Sequence, residues 1–157
     1  MAEYLMGIDA GTGSVRVALF DFRGQNRAYA VAEYGTTYPK NGWAEQSDYE
    51  WFEALKKAIP ECIKKAGIAA DNIAAITCDA TTNTLVYLDE NDTSVRPPIL
   101  WMDVRATEEA SFIDTIREEY DATKFYKPGF RADTMVPKCM WVKKNEPENW
   151  AKTKTII

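Results

Sequence analysis

Residues 7–16, GIDAGTGSVR, constrain the fold of this chain more than any other stretch. An apolar run at 4–8 (YLMGI) stops at Asp9, and two glycines, a threonine and a serine follow before Arg16. Residues 15–22 (VRVALFDF) then alternate apolar with polar, the period of a half-buried strand. Turn chemistry at Arg23-Gly24-Gln25-Asn26 leads into a third such run, 27–36 (RAYAVAEYGT). Three strands in succession, joined by tight turns, make an antiparallel meander. A strand after the glycines, rather than a helix, excludes two widespread phosphate-binding arrangements. The P-loop with its Gly-Lys-Ser/Thr ending is absent, and G-x-G here lacks both its third glycine and the helix that must follow.

On residues alone, two readings of the turn stay open. One is a plain hairpin, with Gly11 and Gly13 supplying positive φ and Thr12 and Ser14 bonding locally. The other starts from Asp9. A carboxylate at a strand end suits a hydrated Mg²⁺, a hard ion that prefers oxygen. The bare backbone of Gly11, Thr12, Gly13 and Ser14 can approach a polyphosphate closely and donate N–H and hydroxyl groups to it. Arg16 shares the alternation of Ser14 and Ala18 and so faces the same side.

Further along, residues 37–46 read as a loop. Ser47 and Glu50 offer a capping box for a helix whose apolar positions run from Trp51 to Ala66, with Pro60 expected to kink it and Gly67 to close it. Residues 73–78 predict a buried strand, and 84–88 and 98–102 two more. Helices are predicted over 106–120 and about 135–145, the latter entered at Asp133-Thr134 with Pro137 in its first turn. Residues 154–157 read as a strand just starting, so the sequence is expected to stop within a domain. The alternation of strands and helices predicts an α/β arrangement with a mixed sheet.

Composition removes several chemistries. The net charge of −5, without a basic stripe, argues against nucleic acid. No histidine is present, which excludes Ser-His-Asp and Cys-His triads and leaves acid–base work to carboxylates, Lys or Tyr. Cys62, Cys78 and Cys139 are odd in number and irregularly spaced, as expected of reduced residues in a cytoplasmic protein. No run resembles a signal peptide or a membrane span, so no membrane partner is expected.

At this point the chain resembles a known family. GIDAGTGSVRVALFDFRG resembles the first phosphate motif of the actin-like ATPase superfamily, which includes the sugar kinases. Four more stretches narrow it to the FGGY carbohydrate kinases: GWAEQSDYEWF (42–52), CDATTNTLVYLD (78–89), PPILWMDVRA (97–106) and ADTMVPKCMWVKKNEPENW (132–150). All five stand in family order and cover nearly the whole sequence.

The resemblance implies an RNase H-like, actin-like α/β domain with a mixed five-stranded type of sheet and flanking helices, incomplete at its C-terminus. Residues 1–157 would be the N-terminal part of the first kinase domain, with the rest of that domain and all of the second absent. It implies transfer of the ATP γ-phosphate to a hydroxyl of a sugar or polyol, most simply a ketopentose of ribulose or xylulose type. ATP and Mg²⁺ are the implied cofactors. Asp9 would support Mg²⁺ through water, and Gly11, Thr12, Gly13, Ser14 and Arg16 would face the phosphates. Asp79, Thr81, Thr82, Asn83, Trp101, Asp103 and Arg105 would form the sugar side. There Trp101 serves as a platform, Asp103 as an acceptor for hydroxyls, and Arg105 as the group that orients Asp103.

Plainer readings stay beside these: core packing for Trp101, a structural salt bridge for Arg105, ordinary strand positions for Thr81 and Thr82, and packing for Trp43 and Trp51. Where xylulokinase-like members usually have G-Q-M-H, this chain has Ala80-Thr81-Thr82-Asn83, and Asp79-Ala80-Thr81 looks closer to the ribulokinase-like branch. The family's catalytic aspartate has no counterpart here, so the chain alone is expected to be inactive. A homodimer is the assembly left open. An autoinducer-2-type kinase of the same family and a non-catalytic actin-like nucleotide module are the alternative functions.

Overall fold

The structure is a computed structural model that describes residues 3–116 and 129–157. The chain divides into two compact units, residues 1–35 with 47–81 and residues 36–46 with 82–157.

In the first unit β1 (Tyr4–Ala10), β2 (Ser14–Asp21) and β3 (Asn26–Glu33) form the expected meander. β1 pairs antiparallel with β2, and β2 antiparallel with β3. Helix α1 (Asp48–Ala66) crosses to β4 (Ile73–Ala80), which pairs parallel with β1, giving the order β3-β2-β1-β4. Alternation decides which face is covered. Val15, Val17 and Leu19 of β2 and Ala28, Ala30 and Ala32 of β3 are buried with Ala54, Ala58 and Cys62 of α1 in one core. Small residues on both β3 and α1 let helix and sheet approach closely. Gly67 ends α1 in the left-handed conformation, φ 68°, and its N–H donates to the Lys64 carbonyl. The helix runs across Pro60 without interruption.

Three expectations need correction here. The capping box does not form: Ser47 is the N-cap, but its side chain makes no capping hydrogen bond, and its backbone carbonyl accepts from Glu50 N–H instead. Gly11 and Gly13 are not at positive φ. β4 is longer than predicted and is not buried. It is the edge strand, and among the described residues no strand pairs with its outer side, so Ile76 stays 59% exposed and Cys78 is exposed.

The second unit has little regular structure. β5 (Tyr87–Leu88) and β6 (Thr155–Ile156) form a short antiparallel pair. Residues 98–102 are not a strand. Only Ile99 bridges, to Leu85 and to Glu45, because Pro97 and Pro98 lack N–H groups and the chain turns at Trp101. The sheet expected as five-stranded is therefore a four-stranded sheet and a separate two-stranded one. Helices α2 (Thr107–Ile116), α3 (Met135–Asn145) and α4 (Pro147–Lys152) complete the unit, and α2 packs on α3. The part of the predicted 106–120 helix beyond Ile116 lies outside the described residues. Leu85, Tyr87, Ile99 and Val142 form the core.

Candidate functional site

In the first unit, the C-terminal ends of β1 and β4 carry a carboxylate each. The parallel register sets Asp9 directly beside Asp79. Both line an open hollow of about 340 Å³, together with Arg16, Tyr29 and Thr77. Arg16 donates from Nη1 to Asp9 Oδ2 at 2.9 Å, with both side chains about half exposed. The turn after Asp9 is closed by Gly11 N–H donating to the Ser14 carbonyl at 3.0 Å. At Gly11 a Cβ would meet Arg16 Nη1 at 3.3 Å and Asp9 Oδ1 at 3.7 Å, so its bareness keeps those groups in place. A Cβ on Gly13 would meet nothing within 4 Å, which leaves open space over that peptide.

Tyr34, to which sequence reasoning gave no role, ties down the same turn. Its hydroxyl donates to the Gly11 carbonyl at 2.5 Å, and its backbone N–H to the Gly13 carbonyl at 3.2 Å. Burial, reinforced by the Asp9 charge, pushes its pKa above the usual tyrosine value. No spacing pattern signals this contact, since Tyr34 follows β3, 23 residues beyond Gly11.

The hollow's charged groups suit a hard cation. Two carboxylates offer oxygen, and the described residues hold no cluster of three His, Cys, Asp or Glu that would make a site from protein ligands alone. Mg²⁺ is typically held by one or two carboxylates, with water and phosphate completing its shell.

The predicted sugar residues fall into two groups, divided between Thr81 and Thr82. Asp79 and Thr81 belong with the hollow's unit. Thr82, Asn83, Trp101, Asp103 and Arg105 belong to the second. There Asn83 takes the left-handed conformation, φ 56°, and Trp101 is 43% exposed, which rules out core packing for it. The Trp101 N–H donates to Thr84 Oγ1 at 3.3 Å.

Asp103 does not offer its carboxylate to a ligand. It is fully buried, and both oxygens are taken. Oδ2 accepts from Ala44 N–H at 2.7 Å and Arg105 Nη2 at 2.8 Å, while Oδ1 accepts from Arg105 N–H at 2.9 Å and Nε at 3.0 Å. Arg105 does orient Asp103, and the two form a buried pair in which both carboxylate oxygens are already engaged. The Arg105 guanidinium lies 4.0 Å from the Trp43 ring centre and 4.9 Å from that of Trp141, and the two indoles meet edge to face at 5.0 Å. Burial works against its charge, but Asp103 and Glu45 outweigh that and raise its pKa. Glu45 Oε1 also accepts from Arg96 at 2.6 Å, and Arg96 Nε donates to Glu146 at 2.8 Å. Gly42, at φ 78° with Val104 Cγ2 2.9 Å from where a Cβ would stand, admits no side chain beside Trp43.

The mixed α/β sheet with its flanking helices is the actin-like fold of the sugar kinases. Residues 4–157 match the FGGY family of carbohydrate kinases, N-terminal domain, and the chain belongs to that family. It is 32% identical to the xylulose kinase of Lactococcus lactis over 154 residues, which is 98% of this chain and 30% of that protein. It is 32% identical to the glycerol kinase of Rhizobium meliloti over 120 residues, 76% of this chain and 24% of that one. The crystal structure of a xyloylose kinase from Brucella ovis superposes with a TM-score of 0.90 at 27% identity, over 98% of this chain and 32% of that chain. The chain thus spans about a third or less of the length of the relatives it matches. Among the described residues no helix is long and apolar enough to cross a membrane.

Proposed function

We propose that this chain is the front part of an ATP-dependent carbohydrate kinase that phosphorylates a hydroxyl of a sugar or polyol, a ketopentose of ribulose or xylulose type. One observation carries the reading: Asp9 and Asp79 stand side by side at the strand ends where the bare Gly11–Ser14 turn begins, in a chain of the FGGY family. Asp9 would hold the Mg²⁺ of the nucleotide through water, and the ion would supply charge neutralisation to the phosphates. Gly11, Thr12, Gly13 and Ser14 present backbone and hydroxyl donors to them. Arg16 holds Asp9 in place and helps position the phosphates, in a reaction where positioning and charge do most of the catalysis. Asp79, Thr81, Thr82 and Asn83 bond acceptor hydroxyls, and Trp101 offers its exposed face to the sugar's C–H groups.

Xylulose kinases and a glycerol kinase among the relatives favour a sugar or polyol acceptor over an autoinducer-2 precursor or a non-catalytic module. The base that takes the acceptor's proton lies outside these residues, so the chain alone does not turn over. The working place is the cytoplasm.

The test is Mg²⁺-dependent ADP release against D-ribulose, L-ribulose, D-xylulose, L-xylulose, glycerol, pentitols and the autoinducer-2 precursor. It is run on this chain and on the full-length protein. Silence from the chain with turnover of one ketopentose by the full-length protein is the expected result. Turnover by the chain itself would overturn the truncation argument. A preference for the linear dione precursor would overturn the ketopentose assignment.

A further inference from the structure

Lys138 is placed where a lysine is least favoured. Its side chain is fully buried. It sits in the first turn of α3, at the positive end of the helix dipole. Burial draws its pKa down to about 8 against the opposing charges of Asp103 and Asp133, with Arg105 pushing the same way as burial and Cys139 opposing it. An apolar side chain would suit that position better unless the ammonium does something there.

What it does is visible in its bonds. Nζ donates to the Asn83 carbonyl at 2.9 Å and to the Leu100 carbonyl at 2.7 Å. Asn83 lies in the turn at 82–83, and Leu100 opens the turn at 101–102, where its carbonyl also accepts from the Asp103 N–H. One ends in Asn83, in its left-handed conformation; the other leads directly into the exposed Trp101. An ammonium radiates three donors from one atom, so it can serve acceptors on two segments at once. No apolar residue could do so: the Leu100 carbonyl would keep only the Asp103 N–H, which reaches it at 3.1 Å, and the part-buried Asn83 carbonyl would lose its lysine donor.

We propose that Lys138 is a positioning residue that locks the Asn83 turn to the Trp101 turn, fixing the spacing between the hydrogen-bonding groups and the aromatic face offered to the acceptor. This rests on the sugar-side reading above for its kinetic consequence, but not for its structural one. Lys138 touches no substrate. It acts through the two turns.

The test compares Lys138→Met with the unsubstituted full-length protein in two ways. Backbone hydrogen exchange over residues 82–86 and 99–103 should quicken at least tenfold in the variant, with α1 unchanged. The KM for the best acceptor among D-xylulose, D-ribulose and glycerol should rise at least tenfold, while the KM for ATP stays within twofold. Unchanged exchange in both turns overturns the proposal, and so does an equal rise in both KM values, which marks a general structural loss. If exchange quickens but the unsubstituted protein phosphorylates none of the three acceptors, the positioning role stands and the kinase reading falls. Should the methionine variant fail to fold, Lys138→Gln carries the same test, since it leaves a donor among the carbonyls while removing the charge. It must show the same split in smaller measure, and unchanged exchange would overturn the proposal equally.

Discussion

The two units are held by different physics. In the first, the sheet ladder satisfies the backbone and a mostly aliphatic core supplies the stability, with Val17, Leu19 and Ala58 wholly buried. The groups proposed to act there, Asp9 and Arg16, sit on the surface as a half-exposed pair. In the second, few residues belong to strands, and segments 36–46 and 82–105 have only single bridges and the two-residue β5–β6 pair for a ladder. There buried charges replace it. Asp103 holds Ala44 N–H, Lys138 holds two carbonyls, and Arg96, Glu45 and Arg105 join distant loops. Regular structure lets a site be built from exposed residues at little cost to stability. Irregular structure must bury polar groups to hold its shape, so the residues that look chemical are the ones doing structural duty.

That contrast can be broken in order of effect. Asp103→Ala leaves the Arg105 cation buried without its closest partner, and should cost about 3–5 kcal/mol. Hydrogen exchange should then quicken over 36–46 and 98–105 while α1 keeps its protection; uniform loosening of both units would break the comparison. In the first unit Leu19→Ala, which only opens a cavity, should cost about 2–5 kcal/mol, read from the urea midpoint. This loss should not change with salt.

Lys138 gives a pH signature. Its folded pKa of about 8 lies below the ordinary lysine value, so below pH 8 both folded and unfolded forms are protonated and the folded form carries the full penalty. As pH rises from 8 toward the unfolded lysine pKa, the folded form sheds its proton first and gains stability, by at most about 3 kcal/mol. The difference in unfolding free energy between the protein and Lys138→Met should therefore grow in the protein's favour over that window. A flat difference would show that the ammonium pays no burial penalty.

Tyr34→Phe removes one hydrogen bond to the Gly11 turn, about 1 kcal/mol of stability, and should raise the KM for ATP several-fold in the full-length protein. Smallest in stability is Asp9→Asn. Its midpoint should match the parent within error, because the pair it breaks is solvent-exposed. Mg²⁺-ATP affinity, measured calorimetrically, should nonetheless fall at least tenfold. A large drop in stability instead would make Asp9 a structural residue like Asp103.

Sequence alone determined the meander, the long helix with its Gly67 stop, and the tight turn after Asp9, because each rests on local periodicity and turn chemistry. It also placed Arg16 on one face with Ser14 and Ala18, since alternation along a strand is a local rule, while the pairing of β1 with β2 brought Asp9 beside it. It could not decide the fate of Asp103. Whether a carboxylate in W-x-D-x-R meets a ligand or a buried arginine depends on what Ala44 and Trp43 bring from some 60 residues away. Nor could it show that residues 98–102 would bridge singly rather than run as a strand, that β4 would be left as an edge, or that Tyr34 and Lys138 would hold the turns. Those outcomes are set by partners distant along the chain, and burial, which turns a polar side chain from a ligand into a fastening, exists only once the chain has folded.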